Sequence, residues 1–341
     1  MSPDKAVSEI REAVQLAKKR GAKIVGLGAY TSVVTQGGLS LKGTGLSALT
    51  TGNSYTAAAS RHSIRLAAAV RLWPLQTCTI AVLGAGGAIG QTLSTLLAAD
   101  AGRLILLGNP AHPEASRERL LQVVGRIVYS LPQLRGRGAF PQSSVAAALE
   151  QLGLVLPSKP DRASLIRLGE EAIARTKSVA VSVETCLLRE ADIIVCCTST
   201  TERLVREEFL RPSAIVCDVS RPSNVGPEVQ DRRPDVMVRE GGVIRLPGDG
   251  HLSFNCSLAR GHVYACMAET MILAMNHRYQ DVSLGFDLSL EQVLEMERLG
   301  EELGFQAVLQ DNRRKPARTV APAASHVSRS FGAEVLGVRG S

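Results

Sequence analysis

One stretch decides the fold: Thr79-Ile80-Ala81-Val82-Leu83-Gly84-Ala85-Gly86-Gly87-Ala88-Ile89-Gly90-Gln91. A short apolar run of strand length enters a glycine-rich turn, and helix-forming residues follow at 92–99. Glycine permits a tight turn and lets a pyrophosphate approach the helix N-terminus, where free N–H groups and the dipole favour negative charge. The same glycines would also suit a tight strand-to-helix turn that binds no ligand. If the turn binds a dinucleotide, the phosphates lie against Gly84, Gly86, Gly87, Ala88, Ile89 and Gly90.

Strand-like and helix-like segments alternate after this turn. Apolar runs of strand length lie at 79–83, 103–107, 179–183, 192–197, 214–218 and 236–239. This alternation is typical of an α/β protein with a doubly wound, Rossmann-type parallel sheet. Such sheets bind ligands beyond the carboxyl ends of their strands. We therefore expect a cofactor to contact residues that follow the last three runs: Thr198, Ser199, Asp218, Gly241 and Gly242.

The second predicted strand ends at Leu107-Gly108-Asn109-Pro110. In Rossmann folds that bind NAD, an acidic residue about 20 positions past the glycine turn bonds the ribose 2′-hydroxyl. Asn109 occupies this region instead and leaves room for a 2′-phosphate, which His112, Arg117 or Arg119 is placed to neutralise. The sequence therefore predicts NADPH rather than NADH, with Asn109 and Arg117 among the cofactor residues.

The segments on either side of the predicted sheet form a second unit. Residues 1–75 combine helix and strand patterns, and 257–309 add helices. We expect them to build a smaller α/β catalytic lobe beside a Rossmann domain at 76–256. The Rossmann domain carries a helical insertion at about 110–178, whose role the sequence leaves open.

The C-terminal stretch differs from the rest of the chain. From Gln310 the composition turns to Pro, Ala, Arg and Ser without periodicity. Segments of this kind do not bury enough apolar surface to fold. We expect 310–341 to be a disordered tail, or a linker to a further domain or partner.

Composition excludes several classes of protein. The chain of 341 residues is 45% hydrophobic and 21% charged, as in compact globular proteins. Aromatic residues make up only 4%, and the net charge of +7 lies mostly in the tail, so nucleic acid is not expected as a partner. The seven cysteines lack zinc-type spacing, which predicts no metal site and a cytoplasmic location. The apolar runs all fall short of the roughly 20 residues of a membrane span.

Five ordered motifs carry a resemblance to a known family. They are Gly28-Ala29-Tyr30-Thr31-Ser32, Thr50-Thr51-Gly52-Asn53-Ser54-Tyr55-Thr56-Ala57, the glycine turn 84–90, Gly241-Gly242-Val243, and Val263-Tyr264-Ala265-Cys266-Met267-Ala268-Glu269. Together they resemble the long-chain acyl-acyl-carrier-protein reductases of cyanobacterial type, over about residues 10–309. That family is related in fold to shikimate dehydrogenases and glutamyl-tRNA reductases.

The resemblance implies NADPH-dependent reduction of a fatty acyl thioester, carried by acyl-carrier protein or CoA, to an aldehyde. The cysteine that matches Cys266 would carry the acyl group, and Thr51, Asn53 and Ser32 are candidate donors to the developing oxyanion. The family has a histidine where this chain has Tyr55, so a proton donor at that position would here have to be the Tyr55 phenol or another group. His262, four residues before Cys266, is expected on the same helical face as a replacement acid/base. A fatty acyl substrate also leaves a peripheral membrane contact open.

Two other readings remain open. A shikimate-type dehydrogenase would transfer hydride to a small carbonyl compound without a covalent step. Such enzymes use a Lys/Asp pair, whereas residues 22–60 contain only Lys23 and Lys42 and no acid, which disfavours this reading. The third reading is a non-catalytic dinucleotide-binding module of a larger assembly.

Overall fold

The computed structural model describes residues 2–43, 45, 47–252 and 258–311. Cys256 and the predicted tail beyond Asp311 lie outside the described residues. Five elements open the chain: helix α1 (Pro3–Lys19), strand β1 (Ile24–Gly26), helix α2 (Tyr30–Val34), strand β2 (Ala48–Thr50) and helix α3 (Asn53–Val70). β1 and β2 pair in parallel as a small sheet, which Val282 extends through an isolated bridge to Thr50.

A larger sheet of six parallel strands follows. Its strands are β3 (Thr79–Leu83), β4 (Arg103–Leu107), β5 (Val179–Ser182), β6 (Ile193–Cys196), β7 (Ile215–Asp218) and β8 (Met237–Glu240). They lie in the order β5-β4-β3-β6-β7-β8, which is the Rossmann order 3-2-1-4-5-6 when β3 is counted first. The predicted α/β fold with a doubly wound parallel sheet is confirmed, and each predicted strand boundary lies within one residue of the observed one.

Both faces of this sheet are buried, which explains why its strands are mainly apolar. Ile80 and Val82 point into one apolar core, and Ala81 and Leu83 point into another on the opposite face. All four side chains are at most 1% exposed. Helix α4 (Ala88–Ala98) follows β3 and packs into the first core through residues such as Leu93 and Leu97.

The predicted insertion folds as three helices between β4 and β5. These are α5 (Pro113–Arg135), α6 (Val145–Glu150) and α7 (Arg162–Arg175). α5 and α7 cross so closely that a Cβ on Gly125 would lie 1.9 Å from the Leu165 carbonyl oxygen. Apolar side chains of all three helices join the core of the sheet, so the insertion is an integral layer of the Rossmann unit.

The C-terminal part returns to the first five elements. It contains α8 (Pro227–Arg232), β9 (Val243–Arg245), β10 (His262–Tyr264), α9 (Ala265–Met275), α10 (Leu290–Glu302), β11 (Gln306–Ala307) and β12 (Gln310–Asp311). α9 packs against β1 and α3, and α10 packs against α3. Strands β10, β9 and β11 form an antiparallel sheet, and β12 pairs with β8, so strand structure extends two residues into the predicted tail.

Within the described ranges, no helix combines the length and the apolar character that crossing a bilayer requires.

Candidate active site

The glycine turn has the geometry that the sequence predicts. Gly84 adopts a left-handed backbone at φ +75°, and its carbonyl oxygen accepts from the Gly87 N–H at 3.0 Å. A Cβ on Gly90 would lie 2.2 Å from that same oxygen, so only glycine lets α4 approach the turn so closely. α4 begins at Ala88, and no side chain caps its N-terminus. The predicted residues 84–90 thus present helix N–H groups that suit a phosphate.

A cavity of about 610 Å³ opens beside this turn. Arg119 lies along one wall, where its Nε donates to the Gly86 carbonyl oxygen at 3.1 Å. Arg117 is two residues away on α5 and faces a different groove, between α5 and α7, which also contains Glu114, Glu118 and Arg162. The structure therefore places Arg119 at the glycine turn, and the prediction of Arg117 as a cofactor residue is corrected.

Asn109 follows the end of β4, as predicted, and is exposed. Its Oδ1 accepts from the Ala111 N–H at 2.9 Å, so the side chain stabilises the turn that leads into α5. His112 precedes that helix and is also exposed.

Asp218 supports a loop and does not open onto the cleft. Its side chain is almost fully buried and accepts from the Ser220 and Asn224 N–H groups, each at 3.0 Å, and from the Ser223 hydroxyl at 2.5 Å. Burial raises the pKa of this carboxyl, and these hydrogen bonds partly oppose the rise. Thr198 joins the same network because its hydroxyl donates to Asn224 Oδ1 at 2.7 Å. Ser199, next in the chain, is exposed.

Gly241 and Gly242 connect the Rossmann sheet to the candidate nucleophile. A Cβ on Gly241 would lie 2.9 Å from Cys217 Sγ, and Gly242 has a left-handed φ of +68°. The Gly242 carbonyl oxygen accepts from the Ala265 N–H at 2.8 Å. This bond fixes the first residue of α9 against the carboxyl edge of the sheet.

Cys266 is the second residue of α9 and is half-buried. Its Sγ lies 3.9 Å from where a Cβ on Gly28 would stand, and a Cβ on Gly52 would lie 2.2 Å from the Cys266 Cα. Gly52 therefore lets the chain before α3 pass directly against the backbone of Cys266, and Gly28 lies in ordinary contact distance of its sulfur. Burial raises the pKa of the thiol and Glu269 raises it further, whereas the Met267 N–H and the Arg221 charge lower it.

Glu269, one turn further along α9, holds the surroundings of Cys266 together. Its fully buried carboxylate accepts from the Thr50 hydroxyl, from the Ser283 hydroxyl at 2.6 Å and from the Tyr55 N–H at 2.7 Å. Burial raises the pKa of this carboxyl. Sequence reasoning did not select Glu269, although an acid within an otherwise apolar helix was a usable signal.

A short segment, 282–287, joins the Cys266 region to the glycine turn. At one end Ser283 bonds Glu269. At the other end Asp287 pairs with Arg126 at 3.1 Å and with Arg119 at 3.4 Å. Gln91 of α4 also donates to the Phe286 carbonyl oxygen.

The remaining predicted catalytic residues do not all reach Cys266. Asn53 begins α3 directly after Gly52 and is half-exposed, and Ser32 is half-exposed in α2. The Thr51 hydroxyl is buried and donates to the Ser283 carbonyl oxygen at 2.5 Å. Thr51 therefore supports the backbone and is not placed to bind an oxyanion.

The two predicted acid/base residues require correction. Tyr55 is buried on another face of α3, where its hydroxyl packs against Gly300 of α10, and burial raises its pKa. His262 does not lie on a helix, because residues 262–264 form strand β10 and α9 begins only at Ala265. The four-residue helical spacing to Cys266 therefore does not exist, and His262 Nδ1 lies 3.0 Å from the Arg260 carbonyl oxygen.

No family model matches the chain. Among curated proteins, it is 27% identical over 310 residues to Aminotransferase PigE of Serratia sp. (strain ATCC 39006), covering 89% of this chain and 29% of that protein. The chain thus spans less than a third of the length of this relative.

Solved structures match the chain at low identity and with low TM-scores. The NAD-dependent malic enzyme of Thermotoga maritima is 11% identical with a TM-score of 0.38, covering 88% of this chain and 71% of that one. D-lactate dehydrogenase with NAD+ from Lactobacillus jensenii is 11% identical with a TM-score of 0.32, covering 84% and 76%. The Rossmann-type class of the protein follows from its own strand order.

Proposed function

We propose that this protein is an NADPH-dependent reductase that converts an acyl thioester to an aldehyde through an acyl group carried on Cys266. One observation carries the proposal: a half-buried thiol stands at the start of a helix that Gly242 fixes against the carboxyl edge of a Rossmann sheet. A nucleophile at that edge faces the region where such sheets bind their ligands.

The chain's residues suggest how the reaction proceeds. The Cys266 thiolate attacks the thioester carbonyl and expels the donor thiol, which leaves with a proton, so one thioester replaces another. A bound NADPH would supply hydride to the carbonyl carbon. The resulting hemithioacetal oxyanion on Cys266 then collapses to the aldehyde and restores the Cys266 thiolate. N–H groups in the first turn of α9 and the Asn53 side chain are candidate donors to the oxyanion.

The proposed preference for NADPH rests on two features, one at the end of β4 and one at the glycine turn. Asn109 stands where an NAD-binding fold has an acid, and the Arg119 guanidinium lies against the glycine turn. A Cβ on Gly84 or Gly90 would collide with neighbouring backbone, so these glycines let α4 pack tightly against the turn. The uncapped N–H groups at the start of α4 suit a pyrophosphate. The residues present therefore fit a phosphorylated dinucleotide.

The curated relative gives indirect support for an aldehyde product. It is named as an aminotransferase, and aldehydes are a class of compound that accepts an amino group in transamination. Fold and relative are thus compatible with an activity that forms aldehydes. Acyl-carrier protein or CoA remains the proposed donor, and a cytoplasmic location and peripheral membrane contact remain proposals.

The shikimate-type alternative is less compatible with the structure. Lys23 is exposed and its Nζ lies 5.0 Å from the centre of the Tyr279 ring, and Lys42 is also exposed. Neither is placed as a buried partner of an acid beside Cys266. A non-catalytic module is the remaining alternative and predicts that no thiol becomes acylated.

Intact-protein mass spectrometry tests the proposal. Incubation with acyl-CoA or acyl-carrier protein without NADPH should add one acyl mass to the wild type and none to Cys266→Ala. The matched controls are Cys186→Ala, which removes an exposed cysteine, and Cys256→Ala; both should acylate like the wild type. Adding NADPH should release the label as aldehyde. Equal labelling of wild type and Cys266→Ala, or NADPH oxidation without acylation, would contradict the covalent mechanism.

A further inference from the structure

Three residues that sequence reasoning did not select meet beside the first turn of α9. Arg221 comes from the loop after β7, Glu240 ends β8, and Tyr264 directly precedes α9. Arg221 Nη2 donates to Glu240 Oε1, and the Tyr264 hydroxyl lies 3.3 Å from the same oxygen. The Arg221 guanidinium also stacks over the Tyr264 ring, with its carbon 4.8 Å from the ring centre.

These contacts hold the guanidinium in one place. Arg221 Nη1 donates to the Ser220 carbonyl oxygen at 2.7 Å, so backbone, carboxylate and aromatic ring each restrain it. A planar guanidinium is suited to such simultaneous pairing and stacking, and lysine is not. Glu240 is only 5% exposed, and its Oε2 has no hydrogen-bond partner among the described residues. The Arg221 side chain is 31% exposed, so it remains accessible to solvent.

The cluster is fixed next to the thiol by the backbone. Glu240 is two residues before Gly242, whose carbonyl oxygen holds the Ala265 N–H at 2.8 Å, and Tyr264 is two residues before Cys266. Among the charges that act on Cys266, Glu269 on its own helix opposes ionisation and Arg221 favours it.

On the basis of the proposed function, we propose that Arg221 is a positioning residue that favours the reactive thiolate of Cys266, and that Glu240 and Tyr264 hold its guanidinium in place. Its charge opposes part of the effect of Glu269 and of burial, which together hold the pKa of the thiol above its ordinary value. Arg221 thereby increases the thiolate fraction available to the acyl-enzyme step, and it does so without the histidine that the sequence suggested.

The test measures the rate of alkylation of Cys266 by iodoacetamide against pH, in the Cys186→Ala, Cys256→Ala background. Arg221→Gln should raise the apparent pKa of the thiol and slow its alkylation at pH 7 about tenfold, as a rise of about one unit requires. Arg221→Lys should recover part of the rate because it keeps the charge. Tyr264→Phe keeps the ring under the guanidinium and should change the rate less than twofold.

The control is Arg232→Gln, which removes an exposed arginine of α8 that pairs with Glu207 at 2.9 Å, and it should react like the parent. Circular dichroism checks that each variant is folded. If Arg221→Gln does not fold, Arg221→Lys and Tyr264→Phe still decide the question. An unchanged pH profile in Arg221→Gln and Arg221→Lys, or a shift in Tyr264→Phe as large as in Arg221→Gln, would overturn the proposal. The assay needs neither NADPH nor an acyl donor, so its failure is distinct from failure of the proposed reductase activity.

Discussion

Arg61 on α3 donates from its Nε to Asp100 Oδ2 at 2.7 Å, and this pair ties α3 to the loop between α4 and β4. Arg65, one turn further along α3, bonds the other carboxylate oxygen at 2.7 Å. Asp100 and Arg61 are both buried. The contact between α3 and the Rossmann unit therefore contains a buried carboxylate, that of Asp100, which pairs with two arginines.

Asp100→Asn should destabilise the protein at pH 7 by roughly 3 kcal/mol, because it leaves a buried arginine without its counter-ion. Burial alone would raise the pKa of Asp100, but the hydrogen bonds and charges of Arg61 and Arg65 hold it below its usual value. Its stabilising contribution is therefore present above the unfolded pKa of about 3.9 and is lost as pH falls through the lower folded value. Urea unfolding of wild type and variant should show the difference at pH 7 and a smaller one near pH 3. Asp231→Asn, at an exposed position, is the control and should change stability by less than about 0.5 kcal/mol.

Gly52→Ala should abolish acylation of Cys266. Its left-handed φ of +74° strains any other residue, and the added Cβ would lie 2.2 Å from the Cys266 Cα. Gly43→Ala is a matched control because Gly43 has the same φ of +74° and no atom within 4 Å of an added Cβ. We expect Gly43→Ala to lose about 1 kcal/mol of stability from backbone strain alone and to keep its reactive thiol. Intact-mass labelling measures acylation and urea unfolding measures stability in the two variants. Equal loss of acylation in Gly52→Ala and Gly43→Ala would show that the contact with Cys266 is unimportant.

Glu269→Gln should loosen the region around Cys266. The amide group of glutamine would face the hydroxyl or N–H donors of Thr50, Ser283 and Tyr55, so at least one buried donor would lose its acceptor. An unsatisfied buried donor costs about 1–3 kcal/mol, which urea unfolding would detect. Glu291→Gln, at an exposed position on α10, should stay within about 0.5 kcal/mol of wild type. A Glu269→Gln variant as stable as wild type would mean that this network contributes little.

Arg119→Gln should weaken NADPH binding about tenfold, the loss expected when one charge-assisted hydrogen bond to a phosphate is removed. Arg117→Gln, two residues away on the same helix but facing the α5–α7 groove, should bind NADPH within twofold of wild type. Fluorescence titration with NADPH and with NADH measures both variants. If Arg117→Gln weakens NADPH binding more than Arg119→Gln does, the sequence prediction of Arg117 as a cofactor residue would be correct after all.

The strands and helices of the Rossmann unit were predictable because their residues are apolar where the fold buries them on both sides. The glycine turn was also predictable, since φ and close approach restrict its residues. His262 was mispredicted because pairing of residues 262–264 with β9 overrides the helical pattern that continues from α9. The roles of Tyr55 and Asp218 depend on α10 and on the loop 220–224, contacts that no local spacing reveals.

The candidate site was predictable only where a motif is continuous in sequence. Cys266 and the glycines fall in such motifs, whereas Glu269 is satisfied by residues more than 200 positions away in the chain as well as by Ser283. Arg221, Glu240 and Tyr264 come from three separate elements. Their proximity is a product of tertiary structure.

The segment 282–287 limits the separation of two parts of the candidate site. Four peptide units separate Ser283, which bonds Glu269, from Asp287, which pairs with arginines beside the glycine turn. Fully extended, they span at most about 14 Å. This segment therefore limits how far apart the two halves of the cleft can lie, and inserting or deleting a single residue in it would shift one half relative to the other without altering either.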